Sequence, residues 1–130
     1  MKKLLFLSAL FVFACSGDDS EDSPTPVYTV EGKWLWSPNT EDRSYANTMY
    51  EFENGIRYTS YAVCWPELCT DADFNALTSS DRIPGTETYT FEGDLLTIDG
   101  MSQEVTFECD GGILLFSNGT KLWRLSSPCN

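Results

Sequence analysis

Residues 104–125 read EVTFECDGGILLFSNGTKLWRL, and this stretch decides the fold class. Val105, Phe107 and Cys109 alternate with Glu104, Thr106 and Glu108, the period of a strand with one buried face. Asp110-Gly111-Gly112 then turns the chain into the apolar run 113–116, and Asn118-Gly119 delivers a further strand at 120–125. Asn-Gly between such runs is the strongest short hairpin signal, because both residues tolerate the positive φ of a two-residue turn.

The same grammar extends upstream. Tyr89 and Phe91 lead through Glu92-Gly93-Asp94 to Leu96 and Ile98, and Asp99-Gly100 turns the chain again. Residues 48–52 and 56–63 flank Glu53-Asn54-Gly55, and residues 27–36 put Val30, Gly32, Trp34 and Trp36 on one face and Thr29, Glu31 and Lys33 on the other. That makes eight strands, with turns every eight to twelve residues and no sustained helical period. Eight locally connected antiparallel strands close most simply into an up-and-down barrel, which removes exposed edges; a sandwich is the alternative.

One register is chosen on pattern. A two-residue loop would set Phe52 beside Arg57. A three-residue loop with Gly55 left-handed pairs Phe52 with Ile56, Glu51 with Arg57 and Tyr50 with Tyr58, which keeps apolar with apolar and is the expected pairing.

The N-terminus supplies an address. Lys2 and Lys3 precede an apolar run at 4–14, long enough for a signal h-region and well short of the about 20 residues of a membrane span. Val12-Phe13-Ala14-Cys15 resembles a bacterial lipobox, which implies a signal peptide at 1–14 and lipidation of Cys15. Residues 15–26 are small, acidic and proline-terminated, with nothing apolar to bury, and are expected to form a disordered tether. Acidic residues just after such a cysteine resemble the export signal of surface lipoproteins, implying the outer membrane and its outer face, with the periplasmic face as the alternative. The remaining domain, 27–130, carries sixteen acids against six bases, a net charge of −10. Nucleic acid is thereby an unsuitable partner, since phosphate binding needs clustered Lys and Arg.

Gly32-Lys33-Trp34 resembles the Gly-x-Trp motif of lipocalins, and Arg124 resembles the arginine that packs across that tryptophan. The whole is similar to the short lipocalin-like domains of bacterial lipoproteins. The resemblance implies a closed barrel end built from Gly32, Trp34 and Arg124. It leaves no room for the C-terminal helix of full-length lipocalins, and residues 65–86 are an added insertion.

In such a barrel the connections after strands 1, 3, 5 and 7 share one end. Cys64 and Cys69 flank the connection after strand 3, whereas Cys109 and Cys129 lie at the opposite end. Disulfides Cys64–Cys69 and Cys109–Cys129 are therefore the pairing that avoids spanning the barrel, and an exported setting favours their oxidation. Metal binding is the lesser reading, as Cys-x4-Cys is loose for zinc and the chain has no histidine.

The absence of histidine also removes Ser-His-Asp and Cys-His catalysis. Glu51 and Glu53 read as outward-facing, so the chain is expected to be no enzyme and to need no cofactor. Residues 71–75 have calcium-loop spacing, but Ala76 and Arg82 stand where glycine and glutamate are required. A helical turn capped by Thr70 explains them better.

Two long connections, 37–46 and 65–86, lie at the open end, and the second suggests a binding loop with Trp65, Phe74 and Arg82 as contacts. The alternative is that Trp65 and Phe74 cap the core. Tyr50, Phe52, Tyr58, Tyr89, Phe91 and Phe107 have the bulk to fill a small barrel, and a packed interior is favoured over a ligand cavity. The expected function is non-catalytic binding of a small apolar or amphipathic ligand at the open end of a membrane-anchored barrel. The alternative is a protein-interaction module, such as a protease inhibitor or an accessory subunit of an envelope complex, using the same loops.

Overall fold

Eight strands follow one another as hairpins in the computed structural model, which describes residues 28–130. They are β1 Gly32–Trp36, β2 Thr48–Glu53, β3 Ile56–Tyr61, β4 Glu87–Glu92, β5 Leu95–Ile98, β6 Met101–Glu108, β7 Ile113–Phe116 and β8 Lys121–Arg124. Each pairs antiparallel with the next, and β8 closes on β1 through Trp34↔Arg124, Leu35↔Trp123 and Trp36↔Leu122. The result is a closed up-and-down barrel with two disulfides, Cys64–Cys69 and Cys109–Cys129, whose Cα atoms are 5.2 and 6.2 Å apart. The signal segment 1–14, Cys15 and the tether 15–26 lie outside the described residues.

The expected β2–β3 register is corrected. Asn54 (φ 50°) and Gly55 (φ 80°) are both left-handed and form a two-residue turn, so Glu53 opposes Ile56, Phe52 opposes Arg57 and Glu51 opposes Tyr58. The turn's backbone twist matches that of its strands, and this outweighs the local apolar match. Shifting the register by one residue exchanges faces. Arg57 consequently lines the barrel lumen, and Tyr58, expected inside, lies under the Arg82 guanidinium instead.

The first strand is also shorter than expected, beginning at Gly32. The chain before it leaves the ladder because its polar groups have other partners. Trp34 Nε1 donates to the Val30 carbonyl at 2.8 Å, while Arg124 donates to the carbonyls of Glu31 (2.9 Å) and Thr29 (2.7 Å).

The core fills the closed half of the barrel. Val30, Trp34, Phe52, Tyr89, Leu96, Val105, Leu114 and Leu122 are buried there, with Phe91 and Phe107 packed against them. Phe52 and Tyr89 meet edge to face at 5.0 Å across the lumen. A second apolar cluster of Leu35, Ala46, Met49 and Phe74 covers the outer wall, and a third joins Ile113, Trp123 and Cys129 beneath the C-terminal tail.

The long connections run down this outer wall. In the second, helix α1 (Asp71–Asn75) presses Phe74 onto Leu35 and Met49. Asp73 accepts from the backbone N–H and hydroxyl of Thr70 at 2.7 and 2.9 Å, so the turn is capped as its sequence implies. Arg43, from the first connection, ion-pairs with Asp71 at 2.6 Å and donates to the Ser127 and Cys129 carbonyls. One guanidinium thereby ties both connections to the C-terminal tail.

Candidate functional site

With the aromatic bulk gathered in the closed half, the open half of the lumen stays hollow. A cavity of about 290 Å³ remains there, against a share of about 30 Å³ per water molecule in the liquid. Its position follows from its lining, which includes Trp36 at the end of β1, Asp99 and Met101 around the β5–β6 turn, and Asn118 at the β7–β8 turn. The interior is thus packed at one end and open at the other.

The cavity lining mixes apolar and polar side chains. Trp36, Leu96, Ile98, Phe116 and Leu122 form an apolar floor and wall. Tyr50, Arg57 and Glu87 bring polar groups from β2 to β4, Asp99 stands at the β5–β6 turn, and Gln103 lies beside Leu96 in the β5–β6 pairing. Arg57 lies across from Glu87 in the β3–β4 pairing, which is only two residue pairs long, and their side chains form an ion pair. The Arg57 guanidinium also sits 4.5 Å over the Tyr50 ring. Burial pushes the Arg57 pKa down from its ordinary value, opposed by Tyr50 and Asp99. A guanidinium so far from neutral pH stays charged.

Two polar atoms here are buried without a protein partner: Arg57 Nε, a donor, and Gln103 Oε1, an acceptor. Each such group costs about 1–3 kcal/mol relative to a satisfied one.

Of the residues singled out by sequence, Gly32, Trp34 and Arg124 do come together, at the closed end. Arg124 lies 4.1 Å over the Trp34 ring, and Trp34 is fully buried. Gly32 has φ +119°, and a Cβ on it would stand 2.9 Å from Arg124 Nη1, so the close approach needs glycine.

Trp65, Phe74 and Arg82 do not converge, and none lines the cavity. Phe74 is buried on the outer wall, and Arg82 is bound to Glu51 at 2.9 Å and Glu53 at 3.4 Å on the outside of β2, 3.7 Å over the Tyr58 ring. The Glu51 hydrogen bond raises the Arg82 pKa further. The connection therefore does not lid the mouth: its length is taken up in packing against the wall, and the backbone of Ile83 donates to the Thr59 carbonyl of β3. Trp65 alone of the three is exposed, at 88 %, beside exposed Val63 and Leu68 in the loop closed by Cys64–Cys69.

Arg57, Glu87, Asp99 and Gln103 are the site residues that sequence reasoning missed. Asn54-Gly55 carried the signal, because a two-residue turn there places Arg57 opposite inward-facing Phe52. Among the described residues, no group of three or more His, Cys, Asp or Glu side chains is placed to hold a metal ion. Fold and site together define a closed antiparallel barrel with one sealed end and one hollow, amphipathic mouth. Comparison with known proteins finds no matching family model, no matching curated protein and no matching solved structure.

Proposed function

We propose that this chain is a membrane-anchored lipoprotein whose barrel holds a small amphipathic ligand at its open end without transforming it. The cavity in the open half of the lumen, lined by both apolar and polar side chains, carries this reading. The Arg124–Trp34 contact over Gly32 supports kinship with lipocalin-like domains. A chain without histidine lacks the base of Ser-His and Cys-His hydrolases, which supports a carrier over an enzyme of those classes.

The lipobox-like segment ending at Cys15 supports anchoring in the outer membrane, on the cell surface. Residues 28–31 enter the barrel at the Trp34–Arg124 end, so a tether from Cys15 sets the closed end toward the membrane and the mouth away from it. Metabolic labelling with radioactive palmitate tests the anchor: the label is retained by the wild type and lost in Cys15→Ser.

Ligand binding is tested by the fluorescence of N-phenyl-1-naphthylamine added to the full chain. The emission rises on binding, and Ile98→Trp, which fills the cavity from its wall, abolishes the rise. Native mass spectrometry before and after lipid extraction then shows whether a small molecule co-purifies. If the probe leaves the wild type unoccupied and nothing co-purifies, the carrier reading fails.

The second reading, a protein-interaction module, is supported by the exposed apolar group Val63, Trp65 and Leu68, which are 90 %, 88 % and 52 % exposed. It shares no residue with the cavity lining, so substitutions at Trp65 leave probe uptake unchanged.

A further inference from the structure

We infer that the mouth takes a short-chain amphiphile with a cationic head, a primary amine or an equivalent small ammonium group, and excludes the carboxylate of the same chain length. This rests on the proposed binding at the barrel mouth and specifies which head group that site takes.

Three observations carry it. The first is charge. Arg57, Glu87 and Asp99 are the ionised residues of the cavity lining, and their charges sum to one negative. Glu87 already holds the guanidinium in an ion pair, so little of the Arg57 charge is left for an anion. Asp99 enters no ion pair among the described residues, which leaves its carboxylate for an incoming cation. The rest of the surface acts in the same direction. Residues 27–130 carry sixteen acids against six bases, and a cleft opening onto a negative field concentrates cations at its entrance.

The second is depth. The Arg57 side chain is 18 % exposed, whereas that of Glu87 is 41 % exposed and Asp99 stands exposed in the β5–β6 turn. Positive charge therefore lies inside and negative charge at the rim. A ligand whose apolar tail enters the lumen leaves its head at that rim, where an ammonium keeps much of its hydration and avoids the cost of full burial. Its charge then stands beside the two acids, with the guanidinium farther in. A carboxylate meets both acids first and has to displace Glu87 to reach Arg57.

The third is the direction and size of the apolar part. Leu96 and Leu122 line the cavity and also belong to the buried core, so they form its inner end. Met101 lines it while 72 % exposed, and marks the outer end two residues from Asp99. Apolar surface inside and an acid outside match an amphiphile that enters tail first. A volume of about 290 Å³ lies at the bottom of the range of about 300–1,000 Å³ typical of ligand pockets, so it admits a short chain rather than a long acyl tail.

The test uses octylamine, octanoate and octan-1-ol, one chain with three heads, titrated calorimetrically into the full chain at neutral pH and about 0.15 M salt, which screens charges beyond about 8 Å. Octylamine is expected to bind at least about tenfold more tightly than octanoate, because the two heads feel the rim charge with opposite sign. Asp99→Asn installs a residue that tolerates the left-handed φ of 50° at that position, and is expected to lower the preference for octylamine over octanol about fivefold. Glu92→Gln, which removes an acid from the far end of β4 outside the cavity lining, is expected to leave that preference within about twofold of wild type. Octanoate or octanol binding as tightly as octylamine overturns the inference, as does an unchanged preference in Asp99→Asn or an equal loss in Glu92→Gln. Octylamine binding undiminished in the filled variant Ile98→Trp overturns it as well, since the amine is then held by the outer surface. Any of these with N-phenyl-1-naphthylamine still bound by the wild type overturns the head-group assignment alone. Failure of every probe to bind the wild type, naphthylamine included, overturns the mouth-binding reading with it.

Discussion

The Arg57 guanidinium lies 4.5 Å over the Tyr50 ring inside the barrel mouth, one residue out of the place that local apolar matching assigns it. On the outer face Arg57 would join Arg82 beside Glu51 and Glu53, and the cavity would lose its cation. In the lumen it bridges the short β3–β4 seam to Glu87, thirty residues along the chain.

Glu87→Gln removes the partner of a half-buried cation. With the Arg57 and Glu87 side chains 18 % and 41 % exposed, the cost lies between that of a surface and a buried pair, about 1–2 kcal/mol in urea unfolding.

Arg124→Ala removes three hydrogen bonds to backbone carbonyls, those of Thr29, Glu31 and Gly111, together with the cation–π contact on Trp34. Its expected cost is about 2–4 kcal/mol. Gly32→Ala costs about 1–3 kcal/mol from positive φ and the close Nη1 contact. In an Arg124→Ala background the contact disappears, so Gly32→Ala costs less there, and a double-mutant cycle of urea midpoints reads the difference.

Within one connection, two aromatics have opposite expectations. Phe74→Ala empties a site 1 % exposed against Leu35, Ala46 and Met49, and costs about 3–5 kcal/mol. Trp65→Ser changes a side chain 88 % exposed and shifts stability by less than about 0.5 kcal/mol. Thermal denaturation of the two variants separates them.

The two disulfides differ in reach. Replacing Cys109 and Cys129 together opens a loop of sequence separation 20 and costs about 3 kcal/mol, whereas Cys64 and Cys69, separated by 5, cost about 2 kcal/mol. The longer bridge also holds the tail against Trp123, which is 1 % exposed. Its loss is expected to red-shift tryptophan emission, and loss of the shorter one to leave the emission of Trp123 unaltered.

Stability declines at both pH extremes for identifiable reasons. Burial, then the hydrogen bond to Glu31, raises the Tyr89 pKa, so its contribution is full below pH about 10 and is lost as pH rises through the folded value. Thr70 lowers the Asp73 pKa, so that contribution is present above pH about 4 and is lost as pH falls through the folded value. Tyr89→Phe flattens the alkaline limb of unfolding free energy against pH, and Asp73→Asn flattens the acid limb.

Much of the architecture is written in short-range signals. Alternation in 104–109, Asn118-Gly119 and Asp99-Gly100 are each readable within a few residues, because strand period and positive-φ turns are local properties. The candidate site is less legible. Arg57 and Gln103 look like ordinary solvent-facing residues in sequence, and only their positions around a closed barrel bring them to one cavity. The length of 65–86 pointed toward a lid, but Phe74 finds an apolar wall at Leu35 and Met49, and Arg82 finds Glu51 and Glu53.

By itself, then, the sequence determined eight strands, their order, their closure and the pairing of four cysteines, since each follows from local periodicity or from the end of the barrel at which a connection falls. Tertiary structure alone decided that one half of the lumen is packed and the other hollow, and that a charged pair lines the hollow half. Those outcomes depend on the register at Asn54-Gly55 and on contacts between residues far apart in the chain, where a shift of one residue exchanges inside for outside.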